Sequence, residues 1–238
     1  VFQFLRRQAR QFGFEASRAN AYTIWEIRVA EMLRLHGVGT IIDVGANDGG
    51  YGLELIRAGW TGRIWSFEPL PDAWARLQKT AKAHPGWTVA PRLALSDQAG
   101  IAPFHEAGNS YSSSLLPMSD VHRNAAPESA TTRTIEVTTA TLDSLIAEAP
   151  AGPHFLKLDV QGAEQLVLNG ARRALADTIV GVQMEMSLDH LYDGQTDRGD
   201  AHTMLTDLGY VLWDMIPGFR DRTSYRLLQY DAVYFRRP

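Results

Sequence analysis

The chain contains no cysteine, only three lysines (Lys79, Lys82 and Lys157), no excess of basic over acidic side chains, and no long apolar run. Without thiols there are no disulfides, thiolate zinc sites, iron–sulfur clusters or cysteine nucleophiles, so any catalyst or metal site must use oxygen or imidazole groups. A missing disulfide framework fits a cytoplasmic protein. The formal charge of −4, from 23 basic and 27 acidic side chains, disfavours a dedicated nucleic-acid binder. No stretch approaches the roughly 20 apolar residues of a membrane span, and the opening Val1-Phe2-Gln3-Phe4-Leu5-Arg6-Arg7 lacks the uninterrupted apolar centre of a signal peptide. The scarcity of lysine beside many arginines reads as genome composition rather than function.

What is present describes an ordinary folded domain. In 238 residues, 45% are hydrophobic and 21% charged, enough to bury one core. The first seventeen residues are expected to be helical, with Phe2, Phe4, Leu5, Phe12 and Phe14 covering the domain that follows; a membrane surface or a partner is the less common alternative. Ile24, Ile27, Met32, Leu33 and Leu35 predict an amphipathic helix from Arg18 to His36. Residues 1–36 are thus an N-terminal helical extension, and 37–238 the main domain.

From Thr40 onward, short apolar runs alternate with helix-sized segments. Strands are predicted at 40–44, 63–67, 88–93, 154–158 and 179–186, with helices at 50–58, 72–83 and 163–175. That alternation implies a parallel sheet covered on both faces. The rhythm then breaks. A helix over 200–208 leads to strands at 210–213 and 231–235 with only a loop and a short strand (225–228) between them, so these two should pair antiparallel. Residues 108–132, rich in Ser, Asn, Ala and Thr, read as a long mobile loop of the functional kind.

Asp43-Val44-Gly45-Ala46-Asn47-Asp48-Gly49-Gly50 lies at the carboxyl end of the first strand, where small residues let backbone approach a ligand and an acid can accept from its ammonium or hydroxyl groups. Glu68 ends the second strand about 20 residues further on, the place of a ribose-binding acid in nucleotide-binding α/β folds. Ser96 and Asp97 follow the third strand beside the same crevice. The glycines fall as Gly45-x-x-x-Gly49-Gly50, not as the Gly-x-Gly-x-x-Gly of a dinucleotide turn, and Asp43 and Asp48 would repel a pyrophosphate. They suit a cofactor carrying an ammonium and a sulfonium, which S-adenosylmethionine does.

On these residues, together with Phe67-Glu68-Pro69, Ala94-Leu95-Ser96-Asp97, Asn109-Ser110, Ser112-Ser113-Ser114-Leu115, Leu191-Tyr192-Asp193-Gly194-Gln195 and the stretch Lys157-Leu158-Asp159-Val160-Gln161-Gly162-Ala163-Glu164, the chain resembles the FkbM family of S-adenosylmethionine-dependent methyltransferases, from about Thr40 to Phe235. Gln161 stands where the family more usually has Glu. The resemblance implies a Rossmann-like class I methyltransferase fold: an α/β protein with a seven-stranded, mostly parallel sheet, an antiparallel C-terminal hairpin, and here N-terminal helices before it. It also implies O-methylation of a hydroxyl on a sugar, glycoconjugate or polyketide-type natural product. Asp43, Gly45, Ala46, Asn47 and Gly49 would hold the methionine end of the cofactor, Glu68 the ribose, and Ser96 and Asp97 the adenine side.

Transfer to a sugar hydroxyl requires an aligned oxygen and a means of removing its proton. Asp159, at the end of the fourth strand, is the first candidate base, Glu185 the second and His190 the third. Asp159 and Glu185 together could also hold a hard cation such as Mg²⁺; the plain alternative is that both only cap and hydrogen bond to nearby backbone. Lys157 shares a strand face with Asp159 and is expected to pair with it. His36, His84, His122 and His202 are expected at solvent-exposed positions. The serine-rich loop 109–114 could donate hydroxyls to the acceptor, and Trp213 and Tyr192 could face a sugar ring. The partner expected is a small-molecule or glycoside acceptor, and a homo-oligomer stays open. Two other readings are an NAD(P)-dependent oxidoreductase on a related fold and a non-catalytic scaffold acting through the N-terminal helices.

Overall fold

A computed structural model of the chain describes residues 2–14 and 18–237. Helix α1 (Phe2–Gln11) and helix α2 (Trp25–Leu35) precede strand β1 (Thr40–Val44), which is followed by α3 (Gly50–Arg57), β2 (Arg63–Phe67), α4 (Pro71–Lys82) and β3 (Trp87–Val89). Next come three strands, β4 (Ala94–Leu95), β5 (Gly100–Ala107) and β6 (Thr131–Ala140), with α5 (Asp120–Ala125) between the last two and the short α6 (Leu142–Leu145) after them. The chain then runs through β7 (His154–Leu158), α7 (Glu164–Asn169), α8 (Arg172–Asp177), β8 (Ile179–Ser187), α9 (Arg198–Asp207), β9 (Tyr210–Pro217) and β10 (Gln229–Arg236).

The main sheet has seven strands in the order β3-β2-β1-β7-β8-β10-β9. β1 lies near its centre, parallel to β2 on one side and β7 on the other, and every residue from Thr40 to Val44 is buried. Burial on both faces is why Thr-Ile-Ile-Asp-Val reads as a continuous apolar run broken only by Asp43. β10 inserts antiparallel between β8 and β9, with Asp231 opposite Glu185. The expected C-terminal hairpin is therefore present, and so is the Rossmann-like sheet that the sequence implied. Two cores flank it: Leu156, Leu158, Val167, Leu175 and Leu205 on the side of α7 to α9, and Leu33, Ile41, Leu55, Leu77 and Phe155 on the side of α2 to α4.

Several boundaries differ from expectation for local reasons. The helix expected from Arg18 starts only at Trp25, because Asn20 folds residues 20–24 into a turn: its side-chain carbonyl accepts from the Tyr22 amide (2.9 Å) and its backbone carbonyl from the Ile24 amide (2.9 Å). The expected N-terminal helix ends at Gln11; the part of that expectation covering Val1 and residues 15–17 lies outside the described residues. Its apolar side chains do not cover the domain, since Phe4, Leu5, Phe12 and Phe14 are exposed. The third strand stops at Val89, and Ala94–Leu95 leaves for a separate sheet of order β4-β6-β5. The helix expected over 163–175 breaks at Gly170-Ala171 into α7 and α8. Residues 225–228 form no strand, only an isolated bridge between Arg220 and Leu227.

The serine-rich segment differs most. Its flanks are the strands β5 and β6, which sequence reasoning missed, and the segment itself packs onto the sheet, burying Ser113, Ser114, Met118 and His122. His122, expected at the surface, packs edge-on against Tyr192 at 5.2 Å. His36 is half-buried and stacks on Phe235 at 3.8 Å.

Candidate active site

At the carboxyl ends of β1, β2 and β7 a crevice encloses about 660 Å³, part of it open to solvent. Ligands in open α/β sheets bind in this position. Its floor is the turn after β1. Gly45 has φ +77, and a Cβ there would meet the Asp159 carbonyl oxygen at 2.0 Å, so only glycine permits β1 and β7 to close against each other. The Gly45 and Ala46 amides both donate to the Phe67 carbonyl at 3.0 Å, which ties the turn to β2.

Glu68 follows β2 and is 4% exposed. Its carboxylate accepts from the Asn47 and Leu70 amides, each at 2.8 Å. Burial raises its pKa to about 7 in spite of those two hydrogen bonds. Asn47 has φ 47; its side-chain amide donates to Ser110 Oγ at 3.1 Å, while its Oδ1 is buried without a partner. Leu70, Leu93, Leu95, Phe104 and Leu115 supply apolar walls.

Asp43 does not reach the crevice. It is 1% exposed beneath the turn, accepts from Ser66 Oγ at 3.2 Å, and Trp87 Nε1 in turn donates to Ser66 Oγ at 3.0 Å. Burial raises its pKa to about 6 against the opposing pull of Lys157. Ala46 and Gly49 likewise shape the turn without lining the crevice. Ser96 is buried and donates to Asp97 Oδ1 at 3.1 Å, and Asp97 is exposed; both lie beyond the crevice wall formed by Leu93 to Leu95. Of the eight residues expected to hold a cofactor, the structure brings Gly45, Asn47 and Glu68 to the crevice.

The opposite wall comes from the stretch after β7. Lys157 Nζ lies 3.3 Å from Asp159 Oδ2, the ion pair expected from the strand alternation. Lys157 is 4% exposed; burial works against its charge, but Asp159, Asp231, Asp43 and Glu185 outweigh it and raise its pKa. Gln161, with φ 56, turns its side chain back between the two candidate carboxylates: Nε2 donates to Asp159 Oδ1 at 2.8 Å and to Glu185 Oε2 at 2.9 Å. Its Oε1 accepts from the Tyr192 hydroxyl at 2.7 Å. Gln229 Nε2 adds a second donor to Glu185 Oε2 at 2.5 Å. Burial, with Asp159, Asp231 and Glu164 nearby, pushes the Glu185 pKa well above the usual carboxylate range. Gly162, at φ +93, has no room for a Cβ, which would meet the Tyr192 ring at 2.8 Å. Glu164 folds back to accept from the Val160 and Gly162 amides, both at 3.2 Å, and so holds the turn that presents Asp159.

Asp159 lines the crevice and Glu185 lies behind Gln161, outside the crevice lining. His190 is not brought to either. It is exposed and lines a separate shallow groove with Ser187, Leu188 and residues 195–198, while its backbone carbonyl accepts from Ser119 Oγ. Five residues past Glu185 the chain has left the strand, so nearness in sequence does not carry His190 into the site. The pair of carboxylates expected to hold Mg²⁺ has an amide N–H donor set between its members, and Glu185 is held towards its neutral form. Such a donor set does not fit a hard cation, which requires anionic or carbonyl oxygens facing one point; among the described residues no group of three or more such side chains could hold a metal ion. Trp213 lies on the edge strand β9 against His36 and Phe235, not at the crevice, and Tyr192 is 1% exposed behind Gln161.

Sequence reasoning missed Gln161, Gln229 and the loop contacts. Gln161 was visible as a departure from the more usual Glu, but its bridging position was not. Tyr111 reaches the turn from the serine-rich loop, donating to Asp48 Oδ2 at 3.2 Å, and Ser114 Oγ donates to the Val160 carbonyl at 3.3 Å. Ser110, Tyr111, Ser113 and Leu115 of this loop line the crevice.

A glycine turn after the first strand, an acid after the second and a carboxylate turn after the fourth strand of a Rossmann-like sheet define the methyltransferase class. Residues 43–212 match the model of the methyltransferase FkbM domain, and the chain belongs to this family. It is 30% identical over 135 residues to the hexuronic acid methyltransferase AglP of Haloferax volcanii, a match covering 56% of this chain and 50% of that protein. The chain thus spans about half the length of the curated relative it matches. Among solved structures, a methyltransferase FkbM from Methylobacillus flagellatus KT superposes with a TM-score of 0.51 at 19% identity, covering 83% of this chain and 43% of that one. That likeness shows the fold.

Proposed function

We propose that this protein transfers a methyl group from S-adenosylmethionine to a hydroxyl of a sugar or glycoconjugate, with Asp159 as the base. The observation that carries the reading is a single crevice with cofactor-type groups at one end and a carboxylate, oriented from two sides, at the other. Membership of a methyltransferase family and the likeness to a relative named for hexuronic acids support the reaction and the sugar class.

The residues present fit the cofactor. The orphaned Asn47 Oδ1 is an acceptor suited to an ammonium. Glu68 keeps lone pairs beyond the two that its backbone amides use, and these suit a ribose diol. The apolar walls at Leu70, Leu93, Leu95 and Phe104 form a slot for a flat base. Asp43 stabilises the turn and contributes negative potential from below. Ser96 and Asp97 shape the wall from behind.

S-adenosylmethionine, when bound, supplies a methyl on a positively charged sulfur with a neutral thioether as leaving group. The protein must place the acceptor oxygen in line with that methyl and take its proton. Asp159 is the exposed carboxylate at the correct end of the crevice: Lys157 holds Oδ2 and Gln161 holds Oδ1, so the carboxylate is fixed in orientation while a lone pair on each oxygen stays available. As the oxygen–methyl bond forms, the hydroxyl proton passes to Asp159. Glu185 does not serve as a base, since it lies behind Gln161 and outside the crevice lining; through Gln161 it anchors the geometry.

Titration calorimetry with S-adenosylmethionine, followed by mass-spectrometric screening of uronic acid and neutral hexose glycosides for a methyl-sized gain, tests this reading. Binding of S-adenosylmethionine with methyl gain on a glycoside is the expected result. Tight binding of a nicotinamide dinucleotide without S-adenosylmethionine binding would overturn it in favour of an oxidoreductase. Binding of neither would leave the scaffold reading.

A further inference from the structure

The crevice is one-sided in charge. Among the described residues that line it, Glu68 and Asp159 are acids, and none is a lysine, arginine or histidine. Lys157 lies outside the lining and is already engaged: it is buried, its ammonium is 3.3 Å from Asp159 Oδ2, and Asp231, Asp43 and Glu185 share its field. On α2, the half-buried Arg28 donates to Asp214 at 2.5 Å and to the Ala21 carbonyl at 3.0 Å. Arg76 and Lys79, on α4, border an open groove that shares only Tyr111 with the crevice lining. The hydrogen-bonding groups that the loop brings to the lining are neutral. Ser110 Oγ accepts from the Asn47 side chain at 3.1 Å and Ser113 Oγ from the Ala107 amide at 2.9 Å, so each hydroxyl keeps its own proton to donate.

We propose that the ring methylated by this protein is uncharged, a neutral hexose or deoxyhexose, and that uronic acids are excluded by charge. This rests on the sugar-hydroxyl reaction proposed above and narrows its acceptor. Asp159 can take a proton only as an anion. A uronate in the crevice would bring its own carboxylate within one ring width of Asp159, with no cation of the lining to answer it. In a site partly shielded from water, like charges at that distance repel, and the carboxylate loses hydration that hydroxyl donors alone do not restore. Sites that select carboxylates face them with a guanidinium fork or an ammonium. A carboxylate as the methylated oxygen itself fits no better. It is already deprotonated at neutral pH and leaves a base nothing to remove, so the Lys157 and Gln161 contacts that fix Asp159 would serve no purpose. A neutral ring meets neither obstacle: its reacting hydroxyl donates to Asp159, and its other oxygens accept from Ser110 and Ser113. Rejection by an unanswered charge discriminates as well as an added contact does.

The test is a matched series on the full chain: nitrophenyl glycosides of glucose, galactose and mannose, the corresponding uronic acids, and the uronamides, which keep the shape of the acid without its charge. Binding is read by saturation-transfer NMR with S-adenosylhomocysteine present, and turnover by mass. Hexosides and uronamides should bind, and kcat/KM for a neutral member should exceed that of its uronic acid by about tenfold or more. The product should resist mild alkali, as a methyl ether does and a methyl ester does not. A uronic acid that binds or turns over as well as its neutral counterparts, or an alkali-labile product, would overturn the inference and leave methyl transfer to a sugar standing. Equal losses in a uronic acid and its uronamide would also overturn it, because shape and not charge would then govern entry. S-adenosylmethionine binding without glycoside binding or methyl gain anywhere in the series would be a different failure, that of the sugar reading itself, and the inference would fall with it.

Discussion

On the β1–β2 side of the crevice the lining carboxylate is held by backbone: Glu68 by the Asn47 and Leu70 amides, beside a turn tied by the Phe67 carbonyl. On the β7–β8 side the two candidate carboxylates are held by other side chains: Asp159 by Lys157 and Gln161, Glu185 by Gln161 and Gln229. Backbone partners fix a shape that one ligand fills, and that suits cofactor binding. Side-chain partners fix charge and proton position, and that suits the chemical step. The two walls meet where Gly45 touches the Asp159 carbonyl.

Breaking that junction should have the largest effect. Gly45→Ala forces a Cβ to within 2.0 Å of backbone at φ +77. It should destabilise the protein by on the order of 3–5 kcal/mol and abolish S-adenosylmethionine binding, as followed by thermal unfolding and calorimetry. An alanine variant with parental stability and affinity would show the walls to be independent. Separate damage to each wall should then divide the kinetics. Asp159→Asn should lower kcat by about 10²–10⁴ while leaving cofactor affinity within a few-fold. Glu68→Gln should raise the cofactor Kd by about tenfold or more, since one of its backbone amides would face an NH₂ group, with kcat at saturation little changed. If both variants lost affinity alike, the division of labour would fail.

The β1–β2 wall was legible in the sequence because its parts are local: Asp43 to Gly50 is one turn, and Glu68 follows the next strand. The parallel strands and the C-terminal hairpin were legible for a similar reason, each being a short apolar run with its own turn signals. β5 and β6 were not. Gly100 to Ala107 and Thr131 to Ala140 carry Pro, His, Glu, Arg and five threonines, and only one residue of β6 besides Thr139 is fully buried, so no apolar run marks them. The side-chain wall was half legible. Lys157 lies on β7 and Asp159 directly follows it, but Gln161 meets Glu185 through the β7–β8 pairing, and Gln229 meets Glu185 because β10 inserts next to β8, a pairing across more than 40 residues. The same topology explains why His190 seemed close to Glu185 and is not. Asp43 lies next to the end of β1 as expected, whereas Ser96 and Asp97 follow β4 of the second sheet and not the third strand of the main one; whether a strand-end acid faces the crevice or the layer beneath it depends on the close approach of neighbouring turns.

The turn that presents Asp159 rests on Glu164, a point at which pH can probe the second wall without touching the reaction. Burial raises the Glu164 pKa from 4.5 to about 7. A carboxyl whose pKa is higher in the folded state binds its proton more tightly there, so its contribution to stability is full below pH 4.5 and is lost as pH rises to about 7. The unfolding temperature should therefore carry a downward component across this window. Glu164→Gln keeps an acceptor for the Val160 and Gly162 amides and should remove that component, which amounts to on the order of 3 kcal/mol at most. Identical pH–stability curves for the parent and the variant would mean that Glu164 does not hold its proton in the folded state.

Gln161 gives the smallest and sharpest test, because it alone separates Asp159 from Glu185. In Gln161→Glu a carboxylate replaces the amide that donates to both. The donor is gone, and a third carboxyl group lies within hydrogen-bonding distance of two others. Proton uptake by the cluster then becomes more favourable, and the acidic limb of the kcat/KM profile should move to higher pH by about one unit. Cofactor affinity should change less, since Glu68 and Asn47 are untouched. Gln161→Leu removes the same hydrogen bonds without adding charge, so it should lower kcat without an equal displacement of the limb. If the two variants displaced the profile equally, the amide would matter only for packing, and the contrast between a backbone-held cofactor wall and a charge-held catalytic wall would lose its central side chain.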